Sequence, residues 1–322
     1  MKIPEISVLM SVYNETLQEL DLSLTSVLEQ TFSDFECIVV VDKPDRIDAI
    51  DYIKDKMQDD CRIVLLINDN NIGLAMSMNK AASVAKGKYL ARMDADDISI
   101  LTRFERQYEC MERNGYDLTC TSYYYIDESN DKLDYPVLNV TDEMLKFWLP
   151  YVNFISHPTV MMKKTVFDNV GGYRNFPCAQ DYDLWLRLFD ANISMHIISE
   201  QLLEYRIRPD SISQKTNVKQ MLTTWYVQSL CIERKRDKKD TFSEGNYKNY
   251  LTKNHAFDTK YLKKAKKNKL VKDKIDSYRG KKKIIRVLLV IRLCCFSSFY
   301  RKYYIHSLSN KLGMLKIRLI AE

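Results

Sequence analysis

Residues 6–12, ISVLMSV, form a short, mainly apolar run that ends in Tyr13, Asn14 and Glu15. Leu17, Leu20, Leu24, Val27 and Leu28 then recur at the three- and four-residue spacing of one helical face. The cycle repeats. The run at 36–41 closes on Asp42 and leads into a helix over 45–58; the run at 62–67 passes through Asn71 and Gly73 into a helix over 74–85. A fourth apolar run, 88–93, delivers the chain to Asp94, Asp96 and Asp97, and a helix over 101–113 follows. Four strands alternating with four helices predict an α/β fold: a mainly parallel, Rossmann-like sheet with helices on both faces. Ligands of such sheets bind beyond the carboxyl ends of the strands. Tyr13, Asp42, Asn71, Gly73 and the acidic cluster all fall there.

Past residue 117 the rhythm changes. Strands are expected over 118–126 and 157–162, a helix over 142–149, and a turn at Gly171, Gly172 and Tyr173. Leu184, Trp185 and Leu188 then mark an amphipathic helix with Asp181 at its start.

Charge divides the chain more sharply than hydropathy does. Residues 1–230 carry 23 Lys and Arg against 35 Asp and Glu, whereas residues 231–322 carry 26 against 8. An acidic body with a basic tail points to a polyanionic partner for the tail. Two regions follow, 1–225 and a basic, mostly helical 226–322. The eight cysteines include no CxxC pair and sit mostly in apolar runs, so a disulfide framework is not expected. The first residues lack the charged and long apolar segments of a secretory signal, and the expected location is cytoplasmic.

Three carboxylates within four residues are costly at a strand end unless a cation offsets them. Hard oxygen ligands suit Mg²⁺ or Mn²⁺, held between carboxylates and substrate phosphates. A solvated acidic turn is the bland alternative for such a short string. Six segments in order carry more weight: 8–15 (VLMSVYNE), 71–75 (NIGLA), 91–97 (ARMDADD), 157–161 (HPTVM), 171–173 (GGY) and 180–187 (QDYDLWLR). Together they resemble glycosyltransferase family 2, with its GT-A nucleotide-sugar fold, over about residues 4–215. Within it the chain is similar to bacterial transferases that build capsule, exopolysaccharide or lipopolysaccharide.

The resemblance implies a metal-dependent, inverting transfer of a sugar from a nucleotide-sugar, expected to be a UDP-sugar, to a glycan or lipid-diphosphate-linked acceptor. Tyr13, Glu15, Asp42, Asn71, Gly73 and Asp94 would hold the nucleotide, and Asp94 and Asp96 the metal. Arg92, Asp97, Gly172, Arg206 and Arg208 would face the donor sugar or its diphosphate. Asp181 would be the general base; its alternative is a helix cap and dipole partner, a role open to Asp183 as well. Three positions depart from the family's usual pattern: Ser11 for Pro, Gln180 for Glu, and Arg208 for a His that can ligate metal. A guanidinium has no lone pair for a metal, but it binds diphosphate well.

The tail contains basic clusters at 234–236, 263–264, 266–267 and 281–283, then an apolar stretch over 284–299 broken by Arg286 and Arg292. As a helix this stretch is about 24 Å long, short of a hydrocarbon core of about 30 Å. An interfacial helix on the anionic inner face of the cell membrane is expected, with packing on the catalytic domain as the alternative. No motif for nucleic acid occurs. A nucleotidyltransferase and a basic-tailed adaptor without activity remain as the other function classes.

Overall fold

The computed structural model describes residues 2–135, 139–208, 218–277 and 283–321. Contacts divide the chain into one unit of Met1–Leu149 with Asn153–Lys215 and another of Pro150–Val152 with Thr216–Glu322. The boundary expected at 225 would have cut a single continuous helix, Val218–Asp237, which lies wholly in the second unit.

The first unit opens with β1 (Ile6–Val12), α1 (Leu17–Leu28), β2 (Phe35–Val41), α2 (Ile47–Asp59), β3 (Ile63–Ile67), α3 (Leu74–Val84) and β4 (Tyr89–Asp94). These strands pair in parallel in the order β3-β2-β1-β4, the doubly wound half expected from the alternating pattern. Every residue of β2 is buried, because neighbouring strands and helices on both faces cover it, which explains a run without alternation. Tyr89, Phe35, Phe104 and Met111 join Val8, Met10, Val39 and Val41 in one core.

The second half comprises β5 (Ile98–Ser99), α4 (Arg103–Asn114), β6 (Leu118–Ile126), β7 (Lys132–Leu133), α5 (Asp142–Trp148), β8 (Met161–Lys163), α6 (Lys164–Asn169), α7 (Gln180–Asp190) and β9 (Met195–Arg206). β8 runs antiparallel between β4 and β6, β9 lies parallel to β6, and β5 closes the far edge against β9. The sheet is therefore mixed, with mainly parallel strands. The strand expected over 157–162 is only partly one: His157–Thr159 make a 3₁₀ turn, with the Thr159 N–H on the Ser156 carbonyl, before β8 begins. Pro158 lacks the N–H that a ladder requires.

The second unit is helical: α8 (Val218–Asp237), α9 (Glu244–Lys253), α10 (Thr259–Ser277), α11 (Lys283–Phe296) and α12 (Ser298–Ala321). Leu222, Val227, Leu230, Tyr247 and Leu251 are buried within it. Leu293 and Tyr300 are buried too, whereas Val287, Leu288 and Ile291 of α11 and Ile305, Leu308 and Leu312 of α12 are exposed. Among the described side chains of the apolar stretch, Leu293 is packed while Val287, Leu288 and Ile291 face solvent. No helix among the described residues is long and apolar enough to cross a membrane. Lys281 and Lys282 of the last basic cluster lie outside the described residues.

Candidate active site

The parallel strands bring the ends of β1, β2 and β4 to one rim. After β1, Thr16 caps α1 in a reciprocal box with Glu19, which stops the strand and turns the chain into the helix. This fixes Tyr13 and Glu15. The Glu15 carboxylate accepts from the Tyr13 N–H at 2.6 Å, and Arg46 donates to the Tyr13 and Glu15 carbonyls. Burial pushes the Glu15 carboxyl up, against the pull of its backbone donors and of Arg208. The Tyr13 ring stays exposed, with the Lys43 ammonium 5.9 Å from its centroid.

Asp42, at the end of β2, is buried. Its Oδ1 accepts from Asn68 Nδ2 at 2.7 Å and the Ile72 N–H at 2.9 Å, and its Oδ2 from the Gly73 N–H at 2.8 Å. Asn71 Oδ1 also accepts from the Gly73 N–H, at 3.0 Å. Gly73 adopts a φ of +84° at the start of α3, a conformation that favours glycine. In this structure Asp42 anchors the 68–73 loop.

At the end of β4, oxygens of Asp94, Asp96 and Asp97 lie within 4.8 Å of one another. Ser23 Oγ secures the cluster by donating to the Asp94 carbonyl at 2.8 Å. Burial first, then the Asp94 charge, pushes the Asp96 carboxyl up to about 7. Burial first, then the Asp96 and Asp94 charges, also hold the Asp97 carboxyl well above the ordinary carboxylate range. Its Oδ1 accepts from the Arg206 N–H at 2.8 Å, while Oδ2 is buried without a donor among the described residues. Three clustered carboxylates, only partly offset by Arg92 and Arg208, and the orphaned Asp97 oxygen fit a divalent cation; Asp94 and Asp96, both only half-buried, are the residues that would hold it.

The cations expected to face the diphosphate separate into two kinds. Arg206 is buried and bonded through each of its three nitrogens: Nε donates to the Asp96 carbonyl at 2.7 Å, Nη1 to the Asp127 carbonyl at 2.7 Å and Nη2 to Asn130 Oδ1 at 2.6 Å. It ties the acidic turn to β9, and its burial keeps it from facing an open phosphate site. Arg92 is likewise buried, bonded to the Asp94 carboxylate from beneath. Arg208 alone reaches the rim, where Nε lies 3.1 Å from Asp96 Oδ2 and Nη2 lies 2.9 Å from Glu19 Oε2. Asp97 and Gly172 are buried too and do not line an open surface. Gly172 instead lets the 171–173 turn close: its carbonyl accepts from Arg187 Nη2 at 2.6 Å.

The 180–187 segment resolves into distinct tasks. Ala179, at φ +57°, is the N-cap residue of α7 and makes no side-chain cap bond. Asp183 is fully buried between Arg187, at 2.9 Å, and Arg174, at 3.4 Å, so it is a core ion pair. Asp181 turns the other way. Its Oδ2 accepts from Asn153 Nδ2 at 3.2 Å. Burial raises its carboxyl above the ordinary range, opposed by first-turn N–H groups, Asn153 and Arg92. Tyr173 is buried within electrostatic reach of Arg92, Asp181 and Asp94, its hydroxyl 2.7 Å from His157 Nε2. Burial and then Arg92 hold the His157 imidazole well below its usual range, so it is a neutral partner of Tyr173.

Sequence reasoning missed Asn153, Glu19, Asn79 and Arg187. Only the four-residue spacing of Asp183 and Arg187 carried a local signal.

This geometry places an acidic cluster and a separate carboxylate on a Rossmann-like sheet, and sequence comparison identifies it. The family model "Glycosyl transferase family 2" matches residues 7–171. The chain belongs to glycosyl transferase family 2. It is a glycosyltransferase enzyme, which removes the nucleotidyltransferase and inactive-adaptor alternatives. An uncharacterised glycosyltransferase of Methanocaldococcus jannaschii is 35% identical over 229 residues, covering 70% of this chain and 79% of that protein. The O-antigen biosynthesis glycosyltransferase WbnJ of Escherichia coli is 35% identical over 212 residues, 64% of this chain and 81% of WbnJ. The E. coli UDP-Glc:alpha-D-GlcNAc-diphosphoundecaprenol beta-1,3-glucosyltransferase WfgD is 29% identical, covering 80% of this chain and 98% of WfgD. Among solved structures, S. aureus TarS 1–349 in complex with UDP-GlcNAc aligns with a TM-score of 0.60 at 14% identity, over 98% of this chain and 92% of that one. Against a longer TarS chain the match spans 54% of that chain. At such identity the likeness concerns the fold, which is that of the GT-A glycosyltransferases.

Proposed function

We propose that this glycosyltransferase moves a sugar from a UDP-sugar to a hydroxyl of a lipid-diphosphate-linked glycan in bacterial surface polysaccharide synthesis, with inversion at the anomeric carbon. The observation that carries the reading is the division of carboxylates. Asp94 and Asp96 share a crowded, charge-frustrated turn at one end of the rim, while Asp181 stands apart with its own donor. The names of WbnJ and WfgD support the polysaccharide context and the acceptor class, and the TarS complex supports a uridine diphosphate donor.

In this reading the exposed Tyr13 ring stacks on the base, and Asp42 shapes the adjoining loop and takes the base N–H as one more donor. Asp94 and Asp96 would hold Mn²⁺ or Mg²⁺, which would supply charge neutralisation for the departing diphosphate. Arg208 turns its guanidinium to the same diphosphate. Asp181 takes the proton from the acceptor hydroxyl as that oxygen bonds to the anomeric carbon; the bond to phosphate breaks, and its electron pair leaves with the nucleotide. The net-basic second unit, with exposed Val287, Leu288, Ile291, Ile305, Leu308 and Leu312, rests on the anionic inner face of the cell membrane, where a lipid-linked acceptor resides.

A thermal-shift series with UDP-, GDP-, CDP- and dTDP-sugars, with and without Mn²⁺, tests the donor. Asp181→Asn should retain the donor-induced shift and lose transfer by about 10²–10⁴-fold. Unchanged turnover in that variant refutes Asp181 as base.

A further inference from the structure

Asp181 has one side-chain hydrogen-bond donor among the described residues, and it comes from a segment outside the family's catalytic motifs. Asn153 Nδ2 lies 3.2 Å from Asp181 Oδ2. The other end of the same amide is also engaged, with Oδ1 accepting from the Ile155 N–H at 3.2 Å. That second bond decides the amide's orientation. An acceptor is needed toward Ile155, so the NH₂ group must face the carboxylate. Ile155 is itself buried, and two residues on, His157 is fixed to Tyr173. The short stretch bearing Asn153 is thus held at both its backbone and its side chain.

We propose that Asn153 is a positioning residue for the acceptor-side carboxylate, holding Asp181 Oδ2 so that Oδ1 meets the acceptor hydroxyl in its ionised form. The proposal rests on the role of Asp181 as base. A hydrogen bond given to the charged form favours that form, and orienting one oxygen fixes the lone pair that receives the proton. Besides the Tyr182 and Asp181 N–H groups of its own helix, two side chains act on Asp181 from the elements packed around it. Arg92 on β4 favours its ionisation, and Tyr173 in the 171–173 turn stands nearby with its proton bonded to or shared with His157. Neither donates a hydrogen bond to it. Asn153 is therefore the contact through which a single substitution alters both the aim and the ionisation of Asp181 without touching the acidic cluster.

The test is a pair of substitutions in the full chain. Asn153→Ala removes both bonds. Asn153→Asp keeps an acceptor for the Ile155 N–H but sets a second carboxylate against Asp181, so a purely structural role predicts near wild-type behaviour. The positioning role predicts the opposite order. The carboxyl ¹³C titration of Asp181, assigned by comparison with Asp181→Asn, should move up by about one pH unit in Asn153→Ala and further in Asn153→Asp. With UDP-glucose or UDP-N-acetylglucosamine and a GlcNAc-diphosphate lipid, kcat should fall about tenfold or more while the donor KM stays unchanged. An unmoved Asp181 titration in both variants overturns the proposal. A shifted titration with full activity in Asp181→Asn instead overturns the base assignment and leaves the Asn153 contact standing.

Discussion

Replacing Gly172 with Ala tests whether the 171–173 turn is held as rigidly as its contacts imply. Gly172 has a φ of +64°, where an added Cβ would lie 2.6 Å from Asn79 Oδ1 and 3.0 Å from Phe167 Cζ. The left-handed conformation alone costs an L-residue about 1–2 kcal/mol. Asn79 cannot simply move aside, because it accepts from the Tyr173 N–H at 2.8 Å and donates to the Tyr173 carbonyl at 2.7 Å. Giving up both bonds adds about 2 kcal/mol, for a total of about 3–4 kcal/mol. Gly171 provides the control: its φ is +77°, yet nothing lies within 4 Å of an added Cβ, so only the conformational cost applies. Urea unfolding followed through Trp185 fluorescence, with Trp148 and Trp225 replaced by Phe in all samples, should show Gly172→Ala about 2 kcal/mol less stable than Gly171→Ala. Equal destabilisation would refute the clamp and, with it, the view that Asn79 sets the position of Tyr173.

The acidic cluster should respond to pH in a definite direction. With Asp96 pushed up to about 7, well above the ordinary carboxylate value, its proton-bound form favours the metal-free folded state, and that contribution is lost as pH rises from about 4 to 7. Cation binding needs the ionised form, so the rise in Tm given by Mn²⁺ should grow steadily from pH 6 to pH 8. A shift of the same size across that range would count against Asp96 as a ligand. In the second unit, Leu288→Glu combined with Ile305→Glu should weaken flotation with anionic vesicles by about tenfold or more, with little effect on neutral ones. Undiminished flotation would remove these exposed positions from the membrane contact.

The first half of the sheet was legible because each strand's burial is written in its own sequence. Residues 6–12 and 118–126 are strands at the predicted bounds, and the four helices expected between residues 17 and 113 form as α1 to α4 with small shifts at their ends. The strand expected over 157–162 is shortened because local hydropathy hid the preference of His157–Thr159 for a 3₁₀ turn. The site was legible where chemistry is concentrated, as at Asp94, Asp96 and Asp97, and obscure where it depends on who meets whom. Arg206 and Arg208 look equivalent in sequence, yet only the structure separates a buried tie from a cation at the rim. Asn153 and Asp181 are separated by 28 residues, and no periodicity links them.

The tie made by Arg206 also has a temporal consequence. Its backbone N–H and Nε reach Asp97 and Asp96 across 109 and 110 residues of chain, so the acidic turn acquires its final geometry only after β9 has been synthesised and docked. Strands β1 to β4 can assemble on a nascent chain without it. A partial chain that stops short of β9 therefore lacks the tie that shapes its acidic turn, whatever the state of β1 to β4.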